Sequence, residues 1–117
     1  MVYEVTKGVL VKVQTTYLQE YSHPEQLHHV FSYYITIENS NNFPIRLLRR
    51  QWYIYDSDGS YNEVEGEGVV GEQPILEQND KHEYSSGCNL HTTMGKMVGT
   101  YLFEKLKTKE QFIVKIP

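Results

Sequence analysis

"HHVFSYYITIENS", His28–Ser40, alternates in character. Phe31, Tyr33, Ile35 and Ile37 fall at every second position, with Ser32, Thr36 and Glu38 among the residues between them. Successive side chains of a strand point to opposite faces, so this spacing predicts a strand with one buried face. The stretch "NSNNFP" that follows reads as a turn. Upstream, "VLVKVQTTYL" places Val9, Val11, Val13 and Tyr17 on one face, with Thr15 between the last two. Downstream, "IRLLRRQWYIYD" places Leu48, Trp52 and Ile54 together, with Arg50 among them. "SDGS" is a hairpin signal, and further strands are expected at Glu83–Leu90, Lys96–Phe103 and Gln111–Ile116. No longer segment carries a helical stripe, and short strands between turn-rich loops predict an all-β chain folded as a β-sandwich.

The chain has 117 residues and a mass of 13.7 kDa, which fits one domain spanning residues 1–117. With 39% hydrophobic and 22% charged residues and a net charge of -4, it has an ordinary globular composition. The mild acidity lacks the broad basic field that nucleic acid attracts, so no nucleic-acid partner is expected. No apolar run is long enough for a spanning helix, so no membrane insertion is expected. Cys88 is the only cysteine, which excludes an internal disulfide. The opening "MVYEVTKGVL" does not read as a secretory leader, and a cytoplasmic location is expected.

"GEGVVG", Gly66–Gly71, spells the G-x-G-x-x-G pattern of dinucleotide-binding loops. Its setting argues otherwise. "SYNEVE" before it is mostly polar, unlike a strand buried on both faces. "EQPILEQNDKHEY" after it has no helical stripe, and Glu65, Glu67 and Glu72 would repel phosphate. The glycines are therefore expected to shape a sharp loop, with nucleotide or pyrophosphate binding as the alternative.

Other groups could carry chemistry. Glu63, Glu65 and Glu67 are spaced by two and would share one face of a strand. Their oxygens suit magnesium, although alternating acids also serve as a charged edge strand. Cys88 and His91 form C-x-x-H, whose sulfur and imidazole suit cobalt or zinc, but a structural site normally takes four ligands. His82 lies six residues before Cys88, and His23, His28 and His29 flank the turn at Pro24. With Trp52 in the core, Tyr53 and Tyr55 would face outward, where aromatics can anchor a partner. Arg49 would also face solvent. "SSGC" is not a nucleophile elbow, and nothing specifies a substrate.

"RRQWYIYDSDG", "VEGEGVVGEQPIL", "YSSGCNL" and "MGKMVGTY" occur in this order. Together they resemble the ApaG family, often labelled cobalt/magnesium efflux-associated, and the match runs from about Val9 to Pro117. The resemblance implies an immunoglobulin/fibronectin type III-like sandwich of about seven to eight strands. It also implies an association with magnesium and cobalt homeostasis. Related domains occur in an F-box ubiquitin-ligase adaptor and a polymerase-delta-interacting protein, which implies a non-enzymatic interaction module. The candidate contact surface comprises Gly66, Gly68, Val69, Val70, Gly71 and Pro74 of the loop, with Ser86 and Gly87, and Arg49, Tyr53 and Tyr55 as anchors. An unidentified protein partner is expected, and a homodimer is left open. No cofactor is expected, with magnesium or cobalt as the alternative.

Overall fold

The computed structural model describes residues 2–26, 29–57, 59–69, 71–90 and 95–117. Among them lie nine strands and two short 3-10 turns, Gln19–Tyr21 and Pro24–Gln26. The strands are β1 (Val2–Thr6), β2 (Val9–Tyr17), β3 (His29–Asn39), β4 (Ile45–Asp56), β5 (Tyr61–Glu67), β6 (Ile75–Leu76), β7 (Lys81–Leu90), β8 (Gly95–Lys105) and β9 (Gln111–Ile116). One antiparallel sheet has the order β1-β2-β3-β7. The other has the order β5-β4-β8-β9, with β6 paired to the start of β4. The chain changes sheet between β3 and β4, returns for β7 and crosses again to β8. This is an immunoglobulin/fibronectin type III-like β-sandwich, with two inner faces that bury a shared core.

The alternating residues meet in that core. Val9, Val11, Ile35 and Ile37 from one sheet and Ile45, Leu47, Tyr101, Phe103 and Val114 from the other are fully buried. At roughly 1.5–3 kcal/mol for each large side chain removed from water, this block is the main favourable term in folding. Thr15 and Tyr17, at the far end of the β2 face, stay exposed.

Two strands went unseen in the sequence. β1 pairs with β2 through a two-residue turn, with Lys7 at φ +49° and Gly8 at φ +78°. Positive φ at both central residues is the type I′ geometry that matches strand twist, reached here by Lys-Gly instead of the commoner Asn-Gly. β6 is only two residues long.

One face assignment also changes. Leu48 does not continue the Trp52 face, because the register of β4 against β8 shifts between Leu47 and Arg49. The extra residue is a β-bulge, and it lets odd-numbered Ile45 and Leu47 and even-numbered Trp52 all reach the core. Leu48 itself is only half-buried.

Asn39 closes the end of the sandwich at β2's start. It is fully buried, and its amide donates to the carbonyls of Phe43 and Leu76, both at 3.0 Å. Its Oδ1 accepts from the backbone N–H of Asn41 at 3.0 Å. A buried amide is tolerable only when its partners are supplied in this way.

Candidate functional site

The glycine loop joins β5 to β6. Gly68 has φ +57°, and a Cβ placed there would lie 1.8 Å from the Glu72 carbonyl oxygen. Val69 N–H donates to Glu72 O at 2.7 Å, and Glu72 N–H donates back to Val69 O at 3.0 Å. Gly68 N–H donates at 2.8 Å to the carbonyl of Leu48, the bulge residue of β4, and Gln73 Nε2 adds a second bond there at 3.0 Å. These three amides are spent inside the protein, whereas a phosphate cradle presents its amides outward.

The loop is instead a clamp around Val69, which is fully buried in the core. Val69 was expected on a contact surface and has no exposed area to offer. Gly68 is also buried, Gly71 is exposed and Pro74 is half-buried. Val70 lies outside the described residues.

Gly66 has a different task. A Cβ there would stand 3.1 Å from both terminal nitrogens of Arg50. Without it, the Arg50 guanidinium lies over the strand and donates to Glu67 O at 3.2 Å and Gly68 O at 2.9 Å. The cation thus binds loop carbonyls. Its charge also reaches Tyr84 and Tyr101, whose hydroxyls hydrogen-bond to each other between the sheets. Burial pushes both phenols well above their ordinary value, despite the opposing pull of Arg50. Arg50 beside Trp52 was visible in the sequence, but the tyrosine pair comes from two distant strands and had no local signal.

The outer face of the second sheet holds the charged and aromatic candidates. Register places Tyr55 opposite Tyr61, Tyr53 opposite Glu63, Gln51 opposite Glu65 and Arg49 opposite Glu67. Glu63, Glu65 and Glu67 do share one exposed face, but the carboxylates of Glu63 and Glu65 have other company. Arg49 Nη2 bonds Glu65 Oε1 at 2.8 Å, and Gln51 Nε2 donates to Glu63 Oε1 at 3.3 Å. Beside them the Tyr61 ring lies 5.0 Å from Tyr55 and 6.4 Å from Tyr53. Desolvation by its neighbours first, and the Glu63 carboxylate second, push the Tyr61 hydroxyl above its ordinary value.

Ser86 and Gly87 are exposed on β7, opposite Tyr33 and Ser32. Cys88 is half-buried between the sheets. Burial first, and the negative charge of Asp56 second, push its thiol up, away from the thiolate that metals and electrophiles require. His91 and His28 lie outside the described residues. His29 is buried against the Tyr17 hydroxyl at 3.0 Å, His82 packs on the Tyr84 ring, and His23 lies 3.9 Å from Glu25. Among the described residues, no three His, Cys, Asp or Glu side chains converge to hold a metal ion. Among the same residues, no helix is long and apolar enough to cross a membrane.

The family model described as the ApaG domain matches residues 19–105, most of the chain. The chain belongs to the ApaG family. It is 50% identical over 93 residues to Protein ApaG of Proteus mirabilis, covering 80% of this chain and 74% of that one. It is 44% identical over 113 residues to Protein ApaG of Brucella canis, covering 97% and 86%. Among solved structures it resembles a Bordetella pertussis protein given the name ApaA. That match has a TM-score of 0.89 and 37% identity, over 98% of this chain and 89% of the other. The ApaG match spans β3 through β8 and therefore includes both the glycine clamp and the tyrosine face.

Proposed function

We propose that this ApaG-family chain is a non-enzymatic cytoplasmic binding module that acts by protein–protein contact. Its association with magnesium and cobalt homeostasis is then exercised through the partner. The observation that carries this reading is the outer face of β4 and β5. There, Tyr53, Tyr55 and Tyr61 form a contiguous aromatic cluster, with Tyr55 41% and Tyr61 50% exposed. Tyrosine supplies a large, rigid contact area with a hydroxyl for specificity, which is why it recurs among interface anchors. Glu63, Glu65 and Glu67 extend the cluster along the same face, so the complementary partner surface is basic.

The test pairs capture with substitution. The wild-type chain, immobilised and exposed to native lysate, should retain a stoichiometric partner that is released by moderate salt. Tyr55→Ser with Tyr61→Ser should lose it while keeping the unfolding midpoint, because both side chains are exposed. Retention of the same partner by the double variant, or no stoichiometric partner at all, would count decisively against the reading.

A further inference from the structure

The two sheets do not end level at the side where β7 and β5 lie. Tyr33 of β3 meets Trp52 of β4 across the core, and the hydroxyl of Tyr84 on β7 reaches that of Tyr101 on β8. β7 therefore sits above β4 and β8, and β5 lies one strand further out. Its inner face is bare. Val64 is opposite Trp52 and shares its inward face, yet Val64 is 37% exposed where Trp52 is 3%. Asn62, opposite Ile54 on the same face, is exposed as well. The inner faces of a sandwich ordinarily cover each other. Here β5 is left as a shelf one strand wide, and an open cavity of about 200 Å³ lies at one end of it, between Ile54 and Asn62 below and Asn89 and Leu90 of β7 above.

A second, independent feature runs along the same line. Among the described residues β7 pairs with β3 alone, in an unbroken register from Lys81 opposite Glu38 to Leu90 opposite His29. The backbone groups of a strand point alternately to its two sides, so half of those on β7 face away from β3. Ser85, Ser86 and Gly87 are exposed one after another, although strand faces alternate. Natural edges are blunted by charges, proline, bulges or brevity. β5 carries Glu63, Glu65 and Glu67, and β1 and β9 lie against each other at the opposite seam. From Tyr84 to Asn89, β7 has no charge, no proline and no bulge. An open edge above an uncovered shelf is a vacant strand position.

We propose that this position binds an extended peptide segment of another protein, which adds to β7 as a fifth strand of the first sheet and covers the inner face of β5. The edge of β7 supplies main-chain hydrogen bonds, which an extended backbone matches. The shelf supplies the side-chain preference. Alternate side chains of the peptide point down, and the one over Val64 is aliphatic. The Arg50 guanidinium lies over Gly66, so the next one in that direction is not basic. A second copy of the chain is not the occupant. Joining β7 to its own mate in one continuous sheet, about a two-fold axis, would drive β5 of each copy into the space held by β4 of the other. The site does not rest on the tyrosine face, which lies on the outer side of the same strands.

The probe is the capped peptide acetyl-Lys-Ser-Thr-Val-Thr-Ser-Lys-amide, which sets its valine and serines on one face and reads alike in both directions. Titrated into the ¹⁵N-labelled chain, it should shift the amides of Ser85, Ser86, Gly87 and Val64 saturably and slow hydrogen exchange at alternate positions of β7. The same peptide N-methylated at its three central residues has no central donor on either edge. It should bind about tenfold more weakly or worse, the loss expected for two or more hydrogen bonds. Val64→Lys should weaken the parent peptide about fivefold, by replacing the apolar contact with a charge. Should that variant fold poorly, the two peptides on the wild-type chain decide alone. Absence of saturable shifts, or equal binding of the methylated peptide, would overturn strand addition. Sedimentation showing a dimer that protects the β7 amides would give the edge to a second copy and overturn the proposal equally.

Discussion

The two ends of this sandwich are built from the same strands and solve the same problem differently. At the end where β2 begins, Val9, Val11, Ile37, Ile45, Leu47 and Phe103 reach zero exposure, and Asn39 ties the loops together with every polar atom of its side chain engaged. At the other end, large rings bridge the gap, with Tyr33 and Trp52 centred 5.5 Å apart at 50°. Beside them a cavity remains and an indole N–H is left alone. The filled end therefore supplies stability. The hollow end gives some of it up and gains a space.

The largest effect should come from deleting a filled-end ring. Phe103→Ala should lower stability by about 3–5 kcal/mol, because the removed volume lies in a block with no room to collapse. Leu90→Ala, at the hollow end, should cost about 2 kcal/mol or less, since its side chain already borders space. Urea unfolding of both variants measures the contrast, and equal losses would erase it.

Asn39→Leu should follow. Leucine is close in size but leaves the carbonyls of Leu76 and Phe43 without their donor, at a cost of about 2–3 kcal/mol. A change below about 0.5 kcal/mol would mean that water replaces the amide and that this end is less sealed than its exposure indicates.

Adding volume discriminates more finely. Val11→Leu overpacks the filled end and should destabilise by about 1–3 kcal/mol. Val13→Leu, two residues along the same strand and facing the cavity, should stay within about 0.5 kcal/mol or stabilise slightly. Thermal melts of the two variants suffice, and a shared penalty would show the cavity to be unable to accept even one methylene.

The smallest effect is on a rate. Cys88 lines the cavity, and its thiol pKa is raised, first by burial and second by Asp56. Thiolate is the nucleophile, so a raised pKa means less of it at any given pH. Alkylation by iodoacetamide at pH 8 should be slower than that of a free thiol, and the rate should keep climbing past the ordinary value of 9.0. A rate matching a free thiol, with its usual plateau, would place Cys88 in water instead.

Much of the architecture could be read along the chain. Period-two alternation marked the inward faces of β2 and β3, and the later strands were recognisable within a few residues. The motifs around the glycines carried the family. β1 escaped because its turn is Lys-Gly and its residues are mostly exposed, and β6 because two residues make no pattern. The Leu48 error had a definite cause: a bulge shifts the phase of alternation by one residue. That bulge appears only once β4 pairs with β8, and the Leu48 carbonyl it frees receives Gly68 from twenty positions later. Val69 illustrates the same limit. Its neighbours spell a surface loop, and only the closure of that loop over the sheets buries it.

The sequence by itself determined a sandwich with tyrosines on the outer face of β4, because strand faces alternate and that alternation is local, and its motifs carried the resemblance to the ApaG family. Tertiary structure alone decided that the glycines clamp Val69, that Arg50 turns to loop carbonyls, and that one end is hollow. Each of these depends on residues brought together from different strands. A cavity in particular is written in no segment. It is the difference between the space that two sheets enclose and the volume that their side chains supply, and neither quantity exists until the sheets have met.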